Sequence, residues 1–260
     1  MKHLALFAFI ALAAGNVEAS TIVGSWIGQN LGPAQSTVVA SFLADGEFFL
    51  YNEGNSSLDP SGQSGMEYGT YNWNRSTGGF TAVDIRSSVG GWQSMPSISN
   101  LSVTGNTLSV SVHNTVVTLA NVPSVTNSFF GSWYVPNDMG AEVITSFADG
   151  RFFGAGYWID PGTHSPGQSI QRGTATFDST TGMFTGTTLF STELGVSGNP
   201  VSVYVTVTGD QSTFSEPGKY SANGTRVAPS AVPLPAAAWF FMTGLTGLFY
   251  NVRQKSRRLG

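Results

Sequence analysis

Hydrophobic and polar residues alternate along most of the chain, in short runs that glycine-bearing turns interrupt. Alternation over about four to eight residues is typical of half-buried β-strands, and the body of the chain lacks the spacing of an amphipathic helix. One hairpin is predicted from residues 38–43 and 47–51. Between them lies Asp45-Gly46, a dipeptide that favours a two-residue turn with positive φ at both positions.

The body of the chain repeats itself at an offset of 104 residues. Residues 44–49 read Ala-Asp-Gly-Glu-Phe-Phe and residues 148–153 read Ala-Asp-Gly-Arg-Phe-Phe, so five of six positions are identical. Similarity at a fixed spacing indicates duplicated units. We therefore predict an all-β fold of two tandem antiparallel meanders, residues 20–126 and 127–228, with about eight short strands each; closed barrels and sandwiches are both compatible with the pattern.

Both ends of the chain are hydrophobic. Residues 1–19 begin with the basic Lys2 and continue through an apolar stretch to Ala19, the plan of a secretory signal peptide. Near the other end, the proline-rich residues 229–235 precede residues 236–252, which carry no charge over 17 positions. At about 1.5 Å per residue this segment can span a thin membrane as a helix.

A basic tail, residues 253–260, follows the predicted transmembrane helix. By the positive-inside rule this tail stays in the cytoplasm and the body lies outside, so the segment anchors an exported precursor in the cytoplasmic membrane. The residues predicted to stop transfer are Arg253, Lys255, Arg257 and Arg258.

Residues 232–260 resemble the PEP-CTERM class of bacterial sorting signals, in its Val-Pro-Leu-Pro-Ala variant. The motif residues are Val232, Pro233, Leu234, Pro235 and Ala236. The resemblance implies that an exosortase, a membrane-embedded cysteine protease-transpeptidase, recognises the tail and delivers the protein to the cell surface or an extracellular polysaccharide matrix. The parent signature has Glu where this chain has Leu234, which leaves the sortase subtype open. An ordinary single-span anchor is the alternative.

The opening Gly-Ser-Trp and the many short strands of each unit resemble small calycin-type barrels, the closed meanders of lipocalins and avidins. The sequence Glu-Tyr-Gly-Thr-Tyr-Asn-Trp at residues 67–73 also resembles lipocalin-like repeats of bacterial exported proteins. In the second unit Gln171-Arg172-Gly173-Thr174-Ala175 stands at the equivalent place, which weakens any argument for a ligand shared by both units.

Charge and composition narrow the classes of partner. Charged residues make up 10% of the chain, under half of the roughly 25% of an ordinary soluble domain. Residues 20–231 carry six basic and 14 acidic side chains, a net charge of about −8. Nucleic acid is not expected as a partner, because phosphate binding needs clustered lysine and arginine.

Few residues are suited to catalysis. Cysteine is absent, and only His113 and His164 lie outside the predicted signal peptide. Neither histidine recurs between the units, and Glu67 and Asp84 correspond to Gln171 and Thr188, which breaks a paired-carboxylate site. We predict that the protein is not an enzyme and needs no cofactor or metal.

Tryptophans are the best candidates for binding. Trp26 and Trp133 recur in both units and are expected to pack in the core, whereas Trp92 and Trp158 have no aromatic counterpart. We expect Trp92 and Trp158 to be exposed and to contact a ligand such as exopolysaccharide. The predicted role is structural or adhesive, at the cell surface or in the matrix; the alternative is a lipocalin-like carrier of a small apolar molecule.

Overall fold

The computed structural model describes residues 21–31, 36–53, 64–87, 98–112, 115–125, 128–138, 140–160, 162–191, 200–216 and 220–227. The regular secondary structure in these ranges is entirely β-strand, which confirms the all-β class. The predicted signal peptide, proline-rich linker, transmembrane helix and basic tail all lie outside the described residues. Within the described ranges, no helix has the length and hydrophobicity needed to cross a membrane.

The first eight strands form one antiparallel sheet. They are β1 (Gly24–Leu31), β2 (Ser36–Phe42), β3 (Glu47–Glu53), β4 (Gly65–Trp73), β5 (Phe80–Ser87), β6 (Ile98–Thr104), β7 (Thr107–Val112) and β8 (Thr115–Asn121). The strand order is β5-β4-β3-β2-β1-β8-β7-β6, so β5 and β6 are the end strands. Among the described residues these end strands are joined at a single bridge, between Gly79 and Asn100. The first sheet is therefore an incompletely closed barrel.

The last eight strands form a closed antiparallel barrel. They are β9 (Gly131–Asn137), β10 (Gly140–Ser146), β11 (Arg151–Ile159), β12 (Pro166–Asp178), β13 (Met183–Ser191), β14 (Pro200–Thr208), β15 (Gln211–Glu216) and β16 (Tyr220–Arg226). Each strand pairs with its neighbour along the chain, and β16 returns to β9 through Thr225 with Tyr134 and Arg226 with Trp133. Of the two predicted alternatives, this half adopts the barrel.

The hairpin between β2 and β3 differs from the predicted two-residue turn. Four residues connect the strands, and the Leu43 amide donates to the Glu47 carbonyl (2.8 Å). Gly46 has a positive φ of 93°, but Asp45 does not. Asp45 instead accepts a hydrogen bond from the Glu47 amide through its side chain (3.1 Å). This side-chain bond favours a longer turn in which only the glycine needs a left-handed backbone.

Aromatic and aliphatic side chains fill the interior of each half. Trp26 lies inside the first sheet, where its Nε1 donates to the Ile22 carbonyl (2.8 Å), and Trp133 does the same with the Phe129 carbonyl (2.7 Å) in the barrel. Besides these two tryptophans, the large side chains of the two interiors include Phe42, Phe48, Phe80, Leu101, Phe129, Phe152, Phe184 and Phe214. The prediction that Trp26 and Trp133 are core residues is confirmed.

A third hydrophobic cluster joins the outer faces of the two sheets, and we call it the shared core. It combines Val39, Phe49, Tyr51 and Met66 of the first sheet with Val143, Phe153, Ala155 and Ile170 of the barrel. Because β3 and β11 bury side chains on both faces, their hydrophobic residues are nearly continuous along the strand. A cavity of about 10 Å³ in the shared core has room for about one water molecule.

The two sheets contribute equivalent positions to the shared core. Each of those four residues of the first sheet lies 104 positions before one of the four barrel residues. Two contacts between the sheets also correspond. Glu53 pairs with Arg172, and the residues equivalent to these two, Tyr157 and Tyr68, stack on each other. Two contacts that exchange in this way are characteristic of two-fold symmetry. The halves therefore pack as the subunits of a two-fold dimer do.

Candidate functional site

The sequence-predicted site residues are described only in part. The sorting-motif residues 232–236, the stop-transfer residues of the tail, Trp92 and His113 lie outside the described residues. His164 is exposed in the loop between β11 and β12, with φ of 55°. Trp158 is half-buried near the end of β11. Its ring lies against Gly167 of β12, since a Cβ at residue 167 would be 2.2 Å from Trp158 Cε2.

Three polar side chains face the barrel interior at the end of the barrel where Trp158 lies. We call these three side chains the polar layer. Glu142 lies on β10, Gln171 on β12 and Thr188 on β13. Side chains alternate between the two faces of a strand, so Glu142 shares the interior face with Ile144, Gln171 with Phe177, and Thr188 with Phe184, all of which pack in the barrel core. The layer therefore lies above the aromatic interior.

Glu142 and Gln171 form a direct pair across the layer. Gln171 Nε2 donates to Glu142 Oε1 (2.7 Å), and both side chains are half-buried. Gly154 on β11 makes room for the pair, because a Cβ there would lie 2.5 Å from Glu142 Oε1 and 2.8 Å from Gln171 Cγ. Any larger residue at position 154 would displace the carboxylate or the amide.

Thr188 is the most buried member of the polar layer. Its exposed fraction is 0%, and its Oγ1 has no hydrogen-bond partner among the described residues. A buried hydroxyl without a partner costs about 1–3 kcal/mol relative to a satisfied one. Such groups are uncommon in folded proteins and call for a specific reason.

The first sheet has different chemistry at the equivalent positions. Val38 and Leu50 stand in place of Glu142 and Gly154, and both pack in the hydrophobic interior. Glu67, the equivalent of Gln171, is fully buried, and Asp84 is half-buried. Phe48 and Phe80 of the first interior recur as Phe152 and Phe184 in the barrel, whereas the residues at this level differ. The chemistry at this end of the interior therefore differs between the two halves.

Tyrosines at the margin of the shared core are held in their neutral form. Tyr68 Oη donates to Glu47 Oε1 (2.8 Å), and its ring stacks on Tyr157 with 4.5 Å between centroids. Burial, together with this hydrogen bond, raises the pKa of Tyr68 above its ordinary value. Burial and then the charge of Glu47 raise the pKa of Tyr134 to about 12. These phenols are therefore poor general bases at neutral pH.

The described residues include no group of three or more His, Asp or Glu side chains that could hold a metal ion. The polar layer can instead bind through hydrogen bonds, since the Glu142 carboxylate accepts and the Gln171 amide both accepts and donates. The Trp158 ring adds a flat apolar surface. Glu142 was not predicted as a site residue, because the equivalent position of the first unit is Val38 and the carboxylate does not recur. One feature of the sequence could have indicated the site. Leu50 and Asn52 of the first unit are replaced by Gly154 and Gly156 in the second, and glycine within a strand often marks a place where another group approaches closely.

Comparisons with known proteins identify no family. No protein-family profile matches the chain, and no curated protein matches it. One structural match is a DNA polymerase sliding clamp from Pseudomonas aeruginosa with ligand, at 10% identity and a TM-score of 0.13, covering 88% of this chain. The aligned region spans 63% of the clamp's length. A similarity of this size carries no argument about fold or function.

Proposed function

We propose that the protein is an exported structural or adhesive component of the cell surface or extracellular polysaccharide matrix. The observation that carries this proposal is the filled interior of both halves together with the shared core that joins them. A carrier needs an internal cavity of about 300 Å³ or more, whereas aromatic side chains occupy these interiors. A double unit from a chain in which only 10% of residues are charged suits hydrogen-bonded and apolar contacts with an uncharged matrix.

The proposed route to the surface uses both ends of the chain. A signal peptide at residues 1–19 directs export, and the Val-Pro-Leu-Pro-Ala segment before the apolar stretch directs processing by an exosortase-type membrane protease. The support is the order of sequence features: a proline motif, 17 uncharged residues and a basic tail. The cytoplasmic membrane is then a partner only before processing.

Intact-mass analysis of protein recovered from the cell surface tests this route. We expect a mature chain that begins near residue 20 and ends near Pro235. Surface protein that still contains residues 240–258 would rule out sorting and leave a plain membrane-anchored protein.

We also propose that the protein acts by binding and has no enzymatic activity. Support comes from the divergence between the halves, since Glu67 and Asp84 are replaced by Gln171 and Thr188 at equivalent interior positions. A hydrolytic pair of carboxylates would therefore exist in at most one half.

Retention of the purified full-length chain on the producer's own exopolysaccharide tests the binding role. We expect retention that Trp158→Ala or Trp92→Ala weakens, and that Val116→Ala, at an exposed residue of β8, leaves unchanged. Absence of retention, combined with saturable binding of a hydrophobic dye or lipid, would support a carrier of a small apolar ligand instead.

A further inference from the structure

We propose that the polar layer of the barrel, together with Trp158, binds a single neutral sugar ring. This inference deepens the proposed function and rests on it, because it names the chemical class that one half of the protein recognises. The ligand would lie at the end of the barrel interior, against Glu142, Gln171 and the Trp158 ring. The filled aromatic interior below would form the floor.

The Glu142–Gln171 pair supplies directional hydrogen bonding. Gln171 Nε2 holds Glu142 Oε1 at 2.7 Å, which fixes the orientation of the carboxylate. An ionised carboxylate has about four lone-pair sites and accepts several hydrogen bonds at once. Adjacent hydroxyls of a sugar are donors with the matching spacing, and hydrogen bonds to a charged acceptor are stronger than neutral ones.

Thr188 gives independent support for a ligand. Its hydroxyl is fully buried and lacks a hydrogen-bond partner among the described residues, and it faces the same interior as Gln171. Retaining this hydroxyl lowers the stability of the unliganded barrel, since a valine of the same shape would avoid the penalty. A ligand hydroxyl, or a water that the ligand orders, would satisfy it.

Trp158 and the glycines of β11 and β12 provide the apolar contact and the space. The indole lies against Gly167 and is half-buried. Gly154 keeps the space above Phe152 open for polar side chains, whereas Leu50 fills the equivalent space in the first sheet. A site with one apolar face and a few converging polar groups is the usual plan for small-ligand recognition.

Charge selects a neutral sugar over an acidic one. The carboxylate of Glu142 would repel a uronate, and the net charge of residues 20–231 is about −8, which adds a repulsive field at long range. Since Arg172 lies on the opposite face of β12, where it pairs with Glu53 of the first sheet (2.9 Å), it does not offset the charge of Glu142 within the barrel.

Calorimetric titration of the full-length chain tests this site. The probes are glucose, galactose, mannose and N-acetylglucosamine, with glucuronate as the anionic comparison and indole fluorescence as a second readout. We expect saturable binding of at least one neutral sugar, a fluorescence change that Trp158→Phe abolishes, and at least about tenfold weaker binding of glucuronate.

The most informative variant is the double substitution Glu142→Val with Gly154→Leu. It copies the residues at positions 38 and 50, so the first sheet already shows that this packing is compatible with the fold. We expect at least a tenfold loss of sugar affinity, and a similar loss in Thr188→Val, without a fall in the urea midpoint. Thr185→Ala, at an exposed residue of β13, is the matched control and should bind as the native chain does.

Unchanged sugar affinity in the double variant would overturn the inference, as would a native chain that binds none of the four neutral sugars. Measuring exopolysaccharide retention in parallel separates the two proposals. Retention without sugar binding would overturn this site alone, whereas sugar binding without retention would support the site and contradict the proposed matrix role.

Discussion

Arg226 shows how one residue closes the barrel at the end opposite the polar layer. Its guanidinium lies 4.1 Å from the centre of the Trp133 ring and donates to the carbonyls of Ser128 (2.7 Å) and Phe130 (3.0 Å). Burial lowers the pKa of Arg226, although an arginine remains charged at any physiological pH. The side chain thus ties the segment before β9 to the last strand, β16.

Arg226→Val should lower the free energy of unfolding by about 3 kcal/mol. The substitution removes a cation–π contact and leaves two carbonyl groups without their donor. Valine keeps a β-branched side chain on the strand while removing the guanidinium. The equivalent residue of the first half is Asn121, which pairs with Trp26 as Arg226 pairs with Trp133. Urea denaturation measures the change, and a midpoint equal to that of the native chain would show that the guanidinium contributes little.

At the scale of the element, the same five-residue turn follows the fourth strand of each half. In the first sheet the Gly78 amide donates to the Asn74 carbonyl (2.7 Å), and in the barrel the Gly182 amide donates to the Asp178 carbonyl (2.8 Å). Both glycines have positive φ, 74° and 71°. The glycine carbonyls then accept from Leu101 and Val205, so each turn also positions the strand after next.

Asp178→Asn should reduce stability more at pH 7 than at pH 3. Hydrogen bonds from Thr181 Oγ1 and then the Thr180 amide lower the pKa of Asp178 below its ordinary value. Since the folded pKa is below the unfolded one, the stabilisation is present above about pH 4 and is lost as the pH falls through the folded pKa.

Urea midpoints of both forms at the two pH values test this prediction, and Asn74 shows that asparagine fits the turn. An equal gap between the native and variant midpoints at both pH values would contradict it.

The elements were predictable where one face of a strand is buried and the other is exposed. On β7 the buried residues Leu108, Val110 and Val112 alternate with more exposed ones, and the sequence shows the same period. The shared core was not predicted, because residues 48–51 and 152–156 are buried on both faces and do not alternate with polar residues. Alternation then cannot reveal whether the second face meets a partner.

At the scale of the whole molecule, the shared core should make the two halves unfold together. Phe49 is 1% exposed, and its ring centroid lies 5.8 Å from that of Tyr134 and 6.2 Å from that of Tyr157 across the shared core. Phe49→Ala should reduce the free energy of unfolding by about 3–5 kcal/mol, the usual range for a large aromatic residue in a core.

Calorimetry and tryptophan fluorescence should report one transition for the native chain, and a lower midpoint for both probes in the variant. Val83→Ala, at a 56% exposed residue of β5, should leave the midpoint unchanged. Two well-separated transitions in the native chain, with only one of them moved by Phe49→Ala, would show that the halves are independent.

The two-fold arrangement also bears on how the interface can change over time. In a dimer of identical subunits every substitution appears twice. An acidic residue at position 53 would then occur at both equivalent contacts, and each contact would need a residue that can pair with it. Here each side is encoded separately, and the chain has Glu53 with Arg172 at one contact and Tyr157 with Tyr68 at its equivalent. Joining the halves in one gene therefore frees the two contacts to evolve as an ion pair and as an aromatic stack.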